Sequence, residues 1–225
     1  MALRSKRLTE EGFRHAFGTR EDADAAIAAG LAPDVLALVK QVHGARVVEA
    51  ADALGAEADG VVARGGGRGL ALPLSGFAAG VRTADCVPIL LADTVSGDVA
   101  AVHAGWRGVV AGVVPAALGA LGAGARIVAA VGPCIGGCCF EVGRDVADAI
   151  AAASSGARVV VREAKDKAYV DLRIAVRGQL IARGVRATDI DDVAGCTKHE
   201  PDRFHSFRRD GAASGRMTTA IGPRR

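Results

Sequence analysis

The chain has 225 residues, half of them apolar, 4% aromatic, with a formal net charge of +3. That apolar share excludes a disordered chain and allows a sizeable core of Ala, Val, Leu and Ile. The small charge, with no long Lys/Arg block, gives no argument for nucleic acid and a weak one for small anions. Five cysteines is an odd number, and the first 20 residues hold no apolar signal core. A disulfide framework is therefore not expected, and a reduced, cytoplasmic protein is.

In chain order, residues 13–17 read as a first strand and 20–30 as a short helix closed by its glycine. Strands are expected at 35–39 and 45–50, flanking Lys40-Gln41-Val42-His43-Gly44, and Asp59-Gly60 turns the chain into another. The glycine-rich stretch 64–69 reads as a flexible connection, since no clear helix follows it to make a phosphate cradle. Strands at 70–74 and 78–82 then lead to Cys86. Apolar runs at 89–92 and 99–102 read as neighbouring buried strands joined by a turn at 93–98.

After His103, residues 106–121 are helical in pattern, with Pro115 expected to kink or restart the helix. The uncharged stretch 109–124 is too short for a membrane span and is read as a buried helix. A strand at 127–131 and a loop at 132–143 lead into a helix at 144–153. Asp171 as N-cap and Gly184 as C-cap frame another at 172–183, and a strand at 217–221 closes the chain. Strands and helices mix without strict alternation and no linker is visible. The expectation is one α+β domain over 1–225 with more than one sheet.

Three segments carry chemistry: His43 after one apolar run, Cys86 before a second, His103 at the end of a third. Two imidazoles and a thiolate suit a zinc ion that keeps an open position, as catalytic zinc does. No CxxC pair is present, and the scatter fits a catalytic site better than a structural one. Each residue also has a plain reading: Cys86 as a small buried hydrophobe, the histidines as hydrogen-bonded core groups. Asp85 can orient a ligand, act as acid or base, or simply form a turn. Trp106 can floor a pocket or pack the core. The Cys134, Cys138 and Cys139 cluster is read as structural, not as a second metal site.

Five motifs then bear on the choice. Gln41-Val42-His43-Gly44, Thr83-Ala84-Asp85-Cys86-Val87-Pro88, His103-Ala104-Gly105-Trp106-Arg107-Gly108, Gly132-Pro133-Cys134-Ile135 and Phe207-Arg208-Arg209-Asp210 follow one another in this order. The chain resembles the laccase-domain family, also called polyphenol oxidase, peptidoglycan editing factor and multifunctional purine nucleoside phosphorylase, from about Phe13 to Gly222. The resemblance implies a layered α/β/β/α fold similar to that of some cysteine hydrolases, with zinc held by His43, Cys86 and His103. It implies phosphorolysis of adenosine, inosine and S-methyl-5′-thioadenosine, with adenosine deamination as a second activity. The stretch from Gly65 to Ser75 departs from the compact family form.

Given such a reaction, Arg46, Arg208 and Arg209 are candidate phosphate holders, because guanidinium grips phosphate in a fork. Asp85 joins His43, Cys86 and His103 as a candidate catalytic group. Three other readings stand beside this one. Five histidines are too few for a blue copper centre plus a trinuclear cluster, so copper chemistry would need one adventitiously loaded site. Cys86 with His103 as base would make a cysteine hydrolase. A zinc-stabilised, non-catalytic module associated with peptidoglycan editing is the third. Purine nucleoside and phosphate are the expected partners, with no nucleic acid and no membrane; oligomeric state is not legible.

Overall fold

A computed structural model describes residues 1–22, 24, 27, 30–31, 35–65, 76–122 and 125–224. Its strands are β1 (His15–Phe17), β2 (Val35–Ala37), β3 (Val47–Glu49), β4 (Gly60–Ala63), β5 (Phe77–Thr83), β6 (Val87–Asp93) and β7 (Val99–Ala104). Then follow β8 (Ile127–Val131), β9 (Glu141–Gly143), β10 (Val160–Ala164), β11 (Lys167–Val170), β12 (Ile190–Asp192) and β13 (Met217–Ile221). The expected strand at 70–74 lies outside the described residues, as do most of the glycine-rich stretch and residues 23, 25, 26, 28 and 29 of the helix expected at 20–30.

A mixed six-stranded sheet, ordered β12-β8-β6-β7-β4-β3, forms the centre, and every residue of β6 and β7 is buried. Such unbroken apolar strands require cover on both faces. On one face Val87, Ile89, Leu91, Ala100 and Val102 pack against helices α1 (Trp106–Ala111), α2 (Val113–Leu121) and α3 (Leu172–Ala182). On the other, Leu90, Ala92, Val99 and Ala101 meet Phe17, Ala79, Val81 and Ile221 of a second sheet, β1-β13-β5-β2. Beyond that sheet Ile27 and Leu31 cover Ala16, Ala78 and Ala220. The layers run helix, sheet, sheet, outer cover: a mixed α/β fold with several sheets, in the expected order.

Two expectations need correction. The helical stretch after His103 breaks at Gly112, whose φ is +86°, and not at Pro115. Pro115 sits in the first turn of α2, where a missing N–H removes no intrahelical bond. The β9-β10-β11 sheet was not anticipated, because β10 is mostly exposed and carries no apolar alternation. Among the described residues no helix is long and apolar enough to cross a membrane.

The site follows from one crossing. Strand β5 belongs to one sheet and β6 to the other, so Ala84-Asp85-Cys86 steps between the layers. Strands β6 and β7 are antiparallel neighbours, with Pro88 opposite His103. Cysteine and histidine thus meet at one end of the central sheet.

Candidate metal centre and cleft

His43, Cys86 and His103 converge, each with a ligand atom within 4.8 Å of the others. The two imidazoles meet edge to face, centroids 4.8 Å apart. Gly105, just past β7, leaves room for them. A Cβ there would lie 2.9 Å from His43 Nδ1 and 3.0 Å from Cys86 Sγ, too close for any larger residue. Donor type and this close approach suit a single metal ion held among the three side chains.

One buried carboxylate holds the histidines. Asp59, fully buried ahead of β4, accepts from the backbone N–H of Val42 (3.3 Å), His43 (2.9 Å) and Gly44 (2.6 Å). Its Oδ1 also lies 2.7 Å from His103 Nδ1, and its carbonyl accepts from the His103 N–H at 2.7 Å. His43 has a φ of +59°, an uncommon conformation for a residue other than glycine, and three N–H bonds to Asp59 hold the segment there. With Nδ1 committed to Asp59, His103 presents Nε2 to Cys86, the arrangement usual behind a metal-ligating histidine. The sequence reading placed Asp59 only in a turn and gave it no part in the site. Its only local signal was a position before a Gly that starts a strand.

The charges respond to each other. Burial would lower His103, but hydrogen bonds and charge from Asp59 and Cys86 raise it to about 9. Burial would raise Cys86, but bonds to His103 and His43 bring it down to about 7. Without a metal, the site therefore favours a thiolate beside an imidazolium. Burial would likewise raise the Asp59 carboxyl, yet His103 and the Gly44 and His43 N–H groups hold it below its usual range.

These groups floor a cleft of about 400 Å³. Arg82, Arg107, Arg208 and Arg216 edge it, with Trp106, Phe140 and Phe207 as apolar walls. Three guanidinium–ring pairs line it: Arg107 over Trp106 at 4.6 Å, Arg208 over Phe140 at 5.4 Å, Arg216 over Phe207 at 5.7 Å. Among the described residues, none of these three arginines pairs with a carboxylate, whereas Arg82 pairs with Asp24. Trp106 both lines the cleft and packs on the core.

Of the expected phosphate holders only Arg208 reaches the cleft. Arg46 Nη1 donates to the Glu57 carbonyl at 3.2 Å, and Arg46 is not among the lining residues. Arg209 donates to the carbonyls of Thr197 (2.9 Å) and Phe204 (2.9 Å) and pairs with Asp210, bracing its own loop. Asp85 does line the cleft, but both oxygens are taken. Oδ1 accepts the Thr197 hydroxyl at 2.6 Å and Oδ2 the Arg208 N–H at 2.6 Å, with φ at +89°. That geometry joins loops and engages one lone pair on each oxygen.

The cysteine cluster divides. Cys134 is fully buried, accepts from Arg173 Nε at 3.1 Å, and burial pushes its thiol up to about 12 despite that arginine. Cys138 and Cys139 instead meet Cys196 and His199, which the sequence reading did not join to them.

With this geometry in hand, similarity to known proteins is informative. The family model described as multi-copper polyphenol oxidoreductase laccase matches residues 19–224. Adenosine deaminase RL5, from an unknown prokaryotic organism, is 41% identical over 201 residues, 85% of this chain and 76% of that protein. A purine nucleoside phosphorylase of Deinococcus radiodurans is 41% identical over 205 residues, 89% of this chain and 75% of that protein. The crystal structure of YlmD from Geobacillus stearothermophilus superposes with a TM-score of 0.80 at 25% identity, covering 95% of this chain and 93% of that one. The match of fold, order of motifs and nearly full length leads to one conclusion: the chain belongs to the multi-copper polyphenol oxidoreductase laccase family, the laccase-domain family.

Proposed function

We infer that this protein is a zinc-dependent purine nucleoside phosphorylase that also deaminates adenosine. The observation that carries the reading is the juxtaposition of His43, Cys86 and His103 with a cleft edged by arginines, three of which have no carboxylate partner among the described residues. Relatives named adenosine deaminase and purine nucleoside phosphorylase support it. A zinc ion in the three-donor site would supply a Lewis acid and activate water near neutral pH.

The chain's own residues do the rest. Asp59 fixes the His103 imidazole through Nδ1 and the His43 backbone through its N–H, so that the donors are set before substrate arrives. The cleft volume suits a nucleoside, and Trp106, Phe140 and Phe207 offer apolar faces to a purine. Arg107, Arg208 and Arg216 are placed to grip phosphate, the nucleophile that must face the ribose C1′ in phosphorolysis. Adenosine, inosine and S-methyl-5′-thioadenosine all fit this chemistry, since each joins a purine to a ribose carbon. The free thiols accord with a reducing, cytoplasmic setting.

The test is elemental analysis with an inosine and adenosine assay on one preparation. Zinc in the protein, with inosine loss accelerated by phosphate and yielding ribose 1-phosphate, is the expected result. Inosine cleavage at a rate independent of phosphate would mean hydrolysis and end the phosphorylase assignment. Copper in place of zinc, with oxidation of phenols, would favour the oxidase reading, and turnover by neither route the non-catalytic module. One observation favours a second reading: the Cys86 thiol at about 7 beside an imidazolium is also a nucleophile pair. Activity that survives complete metal removal would select that cysteine hydrolase.

A further inference from the structure

A second cluster lies outside the catalytic floor. Cys138, Cys139, Cys196 and His199 each place a ligand atom within 4.8 Å of the others. Cys138 Sγ lies 3.8 Å from Cys139 Sγ, 3.7 Å from Cys196 Sγ and 3.4 Å from His199 Nδ1. A disulfide would need about 2.05 Å. The edge of a tetrahedron around zinc, with bonds of roughly 2.3 Å to sulfur and 2.0–2.1 Å to nitrogen, is about 3.5–3.8 Å. The three separations from Cys138 are close to those of ligands around one ion, and the remaining pairs lie within 4.8 Å.

The local backbone is shaped for the same purpose. Gly136 donates its N–H to Cys196 Sγ at 3.3 Å, the kind of bond that supports a ligating thiolate. A Cβ on Gly136 would stand 3.2 Å from Cys138 Sγ, a tight contact, and 3.5 Å from Cys196 Sγ, an ordinary one, so the turn packs directly against both sulfurs. The turn is set by N–H bonds from Cys139 and Phe140 to the Gly136 carbonyl, at 2.9 and 3.0 Å. In the other segment Cys196 and His199 form a C-x-x-H pair, with the Cys196 N–H held by Glu200 Oε1 at 2.7 Å.

We propose that Cys138, Cys139, Cys196 and His199 form a second, structural zinc site. Three soft thiolates and one imidazole select zinc over hard cations, and four protein ligands close the tetrahedron, leaving no position for substrate. Binding replaces the thiol protons, which leave to solvent, and needs no oxidant or reductant. The ion joins a segment that walls the cleft to one that braces it. One carries Ile135 and Phe140, both lining residues; the other carries Thr197, whose hydroxyl holds Asp85 beside Cys86. Its role is to fix that wall. The assignment does not depend on which substrate the cleft accepts.

The test uses the full chain, purified under reductant and reloaded with zinc or cobalt(II). Wild type is expected to hold about two ions per chain, and Cys86→Ala and Cys196→Ser about one each. X-ray absorption on zinc-loaded Cys86→Ala should show three sulfur neighbours and one nitrogen. Cobalt in the same variant should give intense thiolate charge-transfer absorption, lost in Cys86→Ala with Cys196→Ser. Zinc should also slow alkylation of Cys138 in wild type, a readout that stands even where a variant fails to fold. Zinc that leaves Cys138 alkylation unchanged, or a Cys138–Cys196 disulfide in freshly reduced protein that takes up no second ion, overturns the proposal. Loss of nucleoside turnover with the three-sulfur signal intact would count against the functional reading alone.

Discussion

At the residue scale the argument turns on Cys86 and on the group that no motif announced, Asp59. Cys86→Ser keeps the size but removes a soft thiolate, so it is expected to lose the catalytic-site metal and turnover while remaining folded. Retained metal with lost turnover would make Cys86 a nucleophile instead. Turnover preserved at a stability cost of about 1–3 kcal/mol would make it core. Asp59→Asn leaves four donors around an amide that can no longer accept from all of them. Metal affinity should fall about 10–100-fold, as for other partners of ligating histidines, which competition against a chelator measures.

The same residues set a pH dependence. Cys86 is held down to about 7, so its contribution to stability is present above its unfolded value of 9.0 and lost as pH falls through 7. His103 is held up to about 9, so its contribution is present below its unfolded value of 6.5 and lost as pH rises through 9. The two slopes oppose each other between pH 7 and 9, because folding only moves one proton from sulfur to imidazole. Stability of the metal-free protein should be nearly flat there. Metal capture is not flat. An ion must displace the His103 proton below about 9 and the Cys86 proton as well below about 7. Affinity should rise about tenfold per pH unit across that window, and more steeply below it. Affinity independent of pH between those values would remove His103 from the ligand set.

At the scale of elements, the cleft is a meeting of loops held by polar ties. Asp85 joins the β5–β6 crossing to Thr197 and to the Arg208 backbone. Asp85→Ala should therefore raise KM for nucleoside and phosphate while metal content stays as in wild type; loss of the metal would show that the crossing itself collapses. Arg208→Lys removes the planar fork but keeps the charge, so the phosphate requirement should rise several-fold. Arg46→Lys should change nothing, since its guanidinium bonds the Glu57 carbonyl away from the cleft. A phosphate effect at Arg46 equal to that at Arg208 would mean that the cleft edge has been misassigned.

At the scale of the molecule, the central sheet is the rigid part on which the site is mounted. Leu91 is fully buried in the middle of β6, between helix and sheet. Leu91→Ala should cost about 2–5 kcal/mol, read as a lowered denaturation midpoint. Cys86 and His103, the candidate metal donors, lie at the end of the same strand pair, so a milder loss of metal affinity at elevated temperature should accompany it.

The apolar runs made the buried cores of β6, β7 and β8 legible, because a strand covered on both faces is built mainly of apolar residues. The Thr-Ala-Asp-Cys and His-Ala-Gly-Trp-Arg-Gly motifs likewise placed Cys86 and His103 on neighbouring strands, since a short turn leaves them little choice. Asp171 and Gly184 marked their helix by local capping chemistry, which needs no distant partner. What only the tertiary structure decided is the set of contacts between segments far apart in the chain. Asp59 reaches back 16 residues to His43 and forward 44 to His103, and Cys138 meets Cys196 across 58. Arg46 and Arg209 illustrate the converse: a guanidinium near a motif is free to bond the nearest carbonyl and face away from the cleft. Composition and periodicity report what a residue needs from its surroundings, burial or solvent, turn or strand. Which partner meets that need depends on how the layers close, and that is a property of the whole chain.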